Sequence, residues 1–217
     1  MKMTLRLGLV MSFLLMLAAC GRVQPPPEME TAAVREGYRF SGEGASAFSS
    51  SQEGCTYTSV YISASRDQFR EVKGAKTQSN YVEIYLSKYN ECTGNESFIY
   101  GSTSDANFDI NKQLTAATLT ASFRACKEDY SRGTSVCGPA ELTVSWTGQG
   151  KLSRGRSNNQ YKTPELTVKE MFKGTSRDAT ATGSFSFRGK TYELSFSGSS
   201  SEAFLGSGRG SYVVIRK

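Results

Sequence analysis

Three cations, Lys151, Arg154 and Arg156, stand in a run rich in glycine and serine, with Lys162 a little further on. Guanidinium groups and backbone amides in such a run can hold phosphate or sulfate oxygens by charge-assisted hydrogen bonds. The run lacks the G-x-x-x-x-G-K-[ST] order of a phosphate-binding loop and no helical pattern follows it, so a solvated loop is the competing reading. Asp105, Asn107, Asp109 and Asn111 imitate the start of a calcium loop, but Ile110 stands where the turn needs glycine and Ala116 where a bidentate glutamate belongs. A strand with Phe108 and Ile110 facing inward and a solvated Asp/Asn face accounts for the same residues. Asp67, Glu71, Glu83 and Asp178 form no pair that spacing alone identifies as an acid/base couple. Tyr81, Tyr85 and Tyr89 share one face of a strand-like run, where they can stack on sugar rings or pack under a neighbouring segment. The chain has no histidine, so Ser-His-Asp and Cys-His chemistry is excluded.

The remaining reactive side chains are five cysteines. Lys2 and Arg6 precede an apolar run from Leu7 to Leu17, then Ala18, Ala19 and Cys20, which is the three-part form of a secretory signal. That run is too short to span a bilayer, which needs roughly 20 apolar residues. With a cysteine just after the small residues, Leu17-Ala18-Ala19-Cys20 resembles the lipobox of bacterial lipoproteins. The resemblance implies cleavage before Cys20 and acylation of its thiol with diacylglycerol, palmitate among the chains. It further implies residence outside the cytoplasm on a membrane, the outer membrane in a Gram-negative cell, since Gly21 is not aspartate. Cys55, Cys92, Cys126 and Cys137 remain, an even number in a chain expected in an oxidising compartment. Four cysteines allow three pairings. Cys126 with Cys137 is favoured because both flank a polar loop between two strand-like runs, and Cys55 with Cys92 follows by elimination. A four-thiolate metal site competes, without any C-x-x-C pair to support it.

Residues 1–19 thus read as a signal peptide and 20–36 as a lipidated tether carrying Pro25, Pro26 and Pro27, extended at about 3.1 Å per residue. Residues 37–217 read as a domain long enough to bury a full core. The 26 Lys and Arg against 20 Asp and Glu give a net charge of +6, and loss of Lys2 and Arg6 leaves +4. The cations are dispersed among acids rather than gathered in a helix, which argues against a nucleic-acid partner.

Period-two alternation marks the elements that must position these residues: Cys55–Ala64, Asn80–Tyr89, Glu96–Tyr100, Asn107–Ile110, Leu114–Ala125, Ala140–Thr147, Glu165–Phe172, Ala179–Arg188, Lys190–Ser197 and Tyr212–Ile215. No window sustains a helical period. The pattern predicts an all-β fold, a single antiparallel sandwich or barrel of about ten strands. The only tryptophan, Trp146, falls on the apolar face of its strand. Ala117–Phe123 parallels Ala179–Phe185, and Ser145–Gly148 parallels Ser195–Gly198. A duplicated hairpin accounts for this, and so does convergent Thr/Ser/Ala alternation. Lys151–Ser157 and Gly206–Ser211 read as Gly/Ser/Arg loops after each hairpin.

The sequence identifies no reaction. It supports a cell-envelope lipoprotein with a non-catalytic binding or structural domain, needing no cofactor or metal. Its expected partners are the membrane, through the lipid on Cys20, and anionic polysaccharide or envelope proteins. The alternative is a glycan hydrolase working through two carboxylates, which needs no histidine.

Overall fold

A computed structural model describes residues 35–71 and 74–216; the expected signal peptide, Cys20 and the expected tether up to Val34 lie outside the described residues. Every regular element among them is a strand. In order these are β1 (Arg35–Glu53), β2 (Thr56–Glu71), β3 (Lys76–Asn90), β4 (Asn95–Thr103), β5 (Ala106–Ile110), β6 (Ala116–Asp129), β7 (Thr134–Lys162), β8 (Leu166–Phe187), β9 (Lys190–Phe196) and β10 (Ser201–Arg216). All pairings are antiparallel, and the sheet closes on itself because β10 pairs with both β1 and β8.

The ring has eight positions rather than ten. β4 and β5 take successive stretches of one edge of β6, against Ala125–Asp129 and Ala117–Ala121. β9 and β10 divide the edge of β8 in the same way, at 181–187 and 166–179. Eight strands leave an interior just wide enough for side chains to fill. Here Ile62, Ile84, Leu119, Val144, Phe185, Phe196 and Leu205 fill it, each no more than 1% exposed. Trp146 is among them, with its indole nitrogen donating to the Ser46 carbonyl oxygen at 3.1 Å. Phe108 and Ile110 on β5 are buried while Asp109 between them is exposed, so this segment is a solvated-face strand.

The two disulfides join Cys55 to Cys92 and Cys126 to Cys137, the pairing favoured above. Cys126 and Cys137 face each other directly across the β6–β7 ladder. The β8–β9 hairpin turns on Arg188 and Gly189, both at positive φ, which is what a two-residue primed turn requires. In each of the two similar hairpins, β6–β7 and β8–β9, a large aromatic, Trp146 or Phe196, sits opposite an inward alanine, Ala117 or Ala181.

Several expectations are corrected. Glu165–Phe172 and Ala179–Arg188 are parts of one strand, β8. Lys151–Ser157 and Gly206–Ser211 are not loops: the first belongs to β7 and the second to β10. β1, which starts at Arg35 and pairs on both sides, has no counterpart among the predicted strands. Apolar alternation fails to mark Lys151–Ser157, Gly206–Ser211 and the first half of β1 because their inward face is polar. Ladder hydrogen bonds to strands already fixed by the core hold them extended.

The closed ring covers only part of the length of the long strands. β6 accompanies β7 as far as Thr147, and β4 joins β3 only from Val82. Beyond those points six strands continue as an open sheet in the order β7, β8, β10, β1, β2, β3.

Candidate functional site

Residues paired across antiparallel strands point to the same face. In the open sheet the face continuous with the core begins with a buried apolar row, Leu205, Ala45, Ala64 and Val82. Two residues outward, Arg154, Thr175, Ser207, Glu43, Arg66 and Asn80 follow one another across the six strands. The next row is Arg156, Lys173, Arg209, Ser41, Gln68 and Gln78. All of these residues but Asn80 and Gln78, on the edge strand β3, line a trough of about 750 Å³. Neighbouring strands lie about 4.8 Å apart, so Arg156, Lys173 and Arg209 form a continuous run of positive charge.

The trough lining contains one carboxylate, Glu43. It accepts from Nε of Arg66 at 2.7 Å and forms an ion pair with Nη2 of the same residue. Arg66 also donates to the Phe108 carbonyl oxygen and stands 3.9 Å from Asp109, so its charge is largely neutralised. Arg154, Arg156, Lys173 and Arg209 are exposed and, among the described residues, have no carboxylate partner. At the inner end two buried polar atoms have no hydrogen-bond partner, Oδ1 of Asn80 and Nε of Arg177. Their strands put Asn80 beside Arg66, and Arg177 two residues inward of Thr175.

The opposite face of the same strands is built differently. Gly155, Gly174, Gly208 and Gly42 lie side by side in one row across β7, β8, β10 and β1. The Phe172 ring covers two of them, within 2.9 Å of where a Cβ on Gly174 or Gly208 would stand. A carboxylate oxygen of Asp67 covers Gly42. Phe40 stacks near Phe172 at 6.3 Å, and Tyr38 lies 5.2 Å from Phe69. Apart from Glu43, the acids of the open sheet, Asp67, Glu71 and Glu170, are on this side. Burial raises the carboxyl of Asp67 above its ordinary range, and a hydrogen bond from Ser65 partly offsets that.

Of the residues singled out from sequence, Arg154 and Arg156 reach the trough and Lys151 does not. Lys151 falls in the register shift between Gln149 and Ser153, where β7 leaves the ring. Lys173, Arg209, Arg66 and Glu43 were not anticipated; the spacing Arg66-Gln68-Arg70 is a sequence signal for Arg66, since alternate residues of a strand share a face, whereas Lys173, Arg209 and Glu43 reach the trough through cross-strand pairing. Tyr85 sits on the outer wall of the ring, 5.4 Å from Phe98, which in turn lies 5.1 Å from Tyr130. Tyr81 donates to Glu83, and Tyr89 stands opposite Tyr57. Among the described residues no three His, Cys, Asp or Glu side chains converge to hold a metal.

No protein-family model and no curated protein matches the chain. A solved structure provisionally described as AttH, from Nitrosomonas europaea, is similar at a TM-score of 0.34 and 10% identity, over 91% of this chain. The alignment spans 58% of that chain, and a similarity of this extent carries no argument about either fold or function.

Proposed function

We propose that this protein is a lipid-anchored envelope protein that binds anionic polymers without transforming them, through the trough on the open half of its sheet. One observation carries the reading: each of six adjacent strands puts a cation on one face, and all of these but Arg66 lack acidic partners among the described residues, while apart from Glu43 the acids of the open sheet, Asp67, Glu71 and Glu170, occupy the other face. Unpaired guanidinium and ammonium groups set in a concave polar surface suit phosphate, sulfate or carboxylate oxygens. Such a surface also speeds encounter with a polyanion. Attachment through Cys20, which the Leu17-Ala18-Ala19-Cys20 resemblance implies, would hold the trough next to the polymers of the envelope.

The test is a salt-dependent pull-down of envelope polymers by the full-length protein, set beside a variant with Arg156, Lys173 and Arg209 all changed to Ala. Loss of capture in the variant supports the reading, and equal capture ends it. Cys20→Ser addresses the anchor separately: release from the membrane fraction is expected, and tight retention would remove the lipoprotein assignment. Turnover of a glycan that vanishes on replacing a single carboxylate would establish the hydrolase instead.

A further inference from the structure

The trough is the deep end of a longer feature. One residue pair outward from Arg209 and Ser41, the same face continues with Ser211, Arg39, Arg70 and Lys76. Following the sheet from edge to edge, each strand contributes an exposed cation in turn: Arg156 on β7, Lys173 on β8, Arg209 on β10, Arg39 on β1, Arg70 on β2 and Lys76 on β3. Six strands about 4.8 Å apart make this line roughly 24 Å long. A compact anion such as one phosphate would touch two or three of these groups and leave the others facing one another. A linear chain with a charge on successive units would neutralise all six.

The same face indicates which kind of linear chain. Between the cations it presents hydroxyls and amides, Ser41, Ser207, Thr175, Gln68 and Gln78, and none of its three polar rows contains an aromatic ring. The rings of these strands, Tyr38, Phe40, Phe69 and Phe172, are on the other side. Single-stranded nucleic acid is held by stacking bases on aromatic platforms along a basic groove, and that platform is missing here. Sugar hydroxyls and ring carboxylates match what is present.

Resting on the anion-binding reading above, we infer that the ligand is a linear anionic polysaccharide that lies across the strands, from β7 to β3, with one acidic group for each strand it crosses.

Oligogalacturonates graded from the dimer to the decamer are suitable probes, titrated by calorimetry against the full-length protein in detergent. Affinity should rise with length and level off once the chain spans the line, the decamer binding about tenfold tighter than the dimer. Changing Arg39, Arg70 and Lys76 together to Ala should remove that gain while leaving dimer binding intact. The charge-keeping variant R39K/R70K/K76R should retain it, which separates lost charge from lost folding. Equal affinity for dimer and decamer overturns the crosswise track and leaves anion binding in the trough standing. Failure of every length to bind, with the wild-type protein folded, ends both. Single-stranded DNA of similar charge binding as tightly as the decamer overturns the polysaccharide assignment.

Discussion

Asp67 lies on the acidic face of the open sheet, half-buried over Gly42, with a serine hydroxyl as its hydrogen-bond donor. Because burial raises its folded-state carboxyl above the unfolded value, the folded protein holds this proton more tightly than the unfolded chain. Its contribution to stability is therefore greatest at acid pH and falls as pH rises from the ordinary carboxylate range through the raised folded value. Asp67→Asn should raise the melting temperature at pH 7 and leave it unchanged near pH 3; a loss at pH 7 would show that the charge is favourable where it is. Glu43 is the opposite case, a carboxylate that neutralises Arg66 inside the trough. Glu43→Gln should cost about 1 kcal/mol of stability, as expected for a partly exposed pair. It should also tighten binding of an anionic polymer several-fold, which titration of the variant would reveal.

Among the elements, β8 shows how backbone contact constrains sequence. At Gly183 a Cβ would run into the Thr143 carbonyl oxygen and stand 2.9 Å from the Val144 Cα, both backbone atoms of the adjoining strand. Gly183→Ala should destabilise by about 3 kcal/mol or prevent folding, and urea titration of the variant measures this. The Cys126–Cys137 bridge closes a loop of 11 residues, and opening it should cost about 3 kcal/mol on the chain-entropy account. Comparing unfolding with and without reductant tests that value. Strands whose inner face is apolar, such as Val82-Ile84-Leu86 or Leu142-Val144-Trp146, were legible from alternation alone. So was the hairpin bridge, because its two cysteines flank one loop. Lys151–Ser157 of β7, Lys173–Asp178 of β8 and Gly206–Ser211 of β10 were not, because glycine, serine and charged residues alternate there with hardly an apolar residue to mark a side. They stay extended through long-range pairing, which a local window does not contain. For the same reason Arg154 and Arg156 were recognisable as a pair, whereas Lys173 and Arg209 joined them only once β8 and β10 were placed side by side. The free edge of β7 past Thr147 carries Arg154, Arg156 and Lys162, charges of the kind that discourage edge-to-edge association.

For the whole molecule, the sorting of charge onto opposite faces of one sheet has an energetic consequence. Two unit charges about 5 Å apart repel by about 0.8 kcal/mol in water, and each cation of the six-strand line has one or two such neighbours. The repulsion acts in the folded state, where the strands fix the spacing, and is relaxed when the chain unfolds. Salt screens it over a length of about 8 Å at physiological ionic strength. Raising sodium chloride from low to moderate concentration should therefore stabilise the protein by about 2 kcal/mol, or a rise of about 5 °C in melting temperature. Changing Arg156, Lys173 and Arg209 to Ala should make the protein more stable at low salt and flatten its response to salt. Melting curves of both proteins across a salt series test this. A parent whose melting temperature falls or stays level as salt rises, or a variant with an equally steep response, would mean that the cationic face is already neutralised by groups outside the described residues.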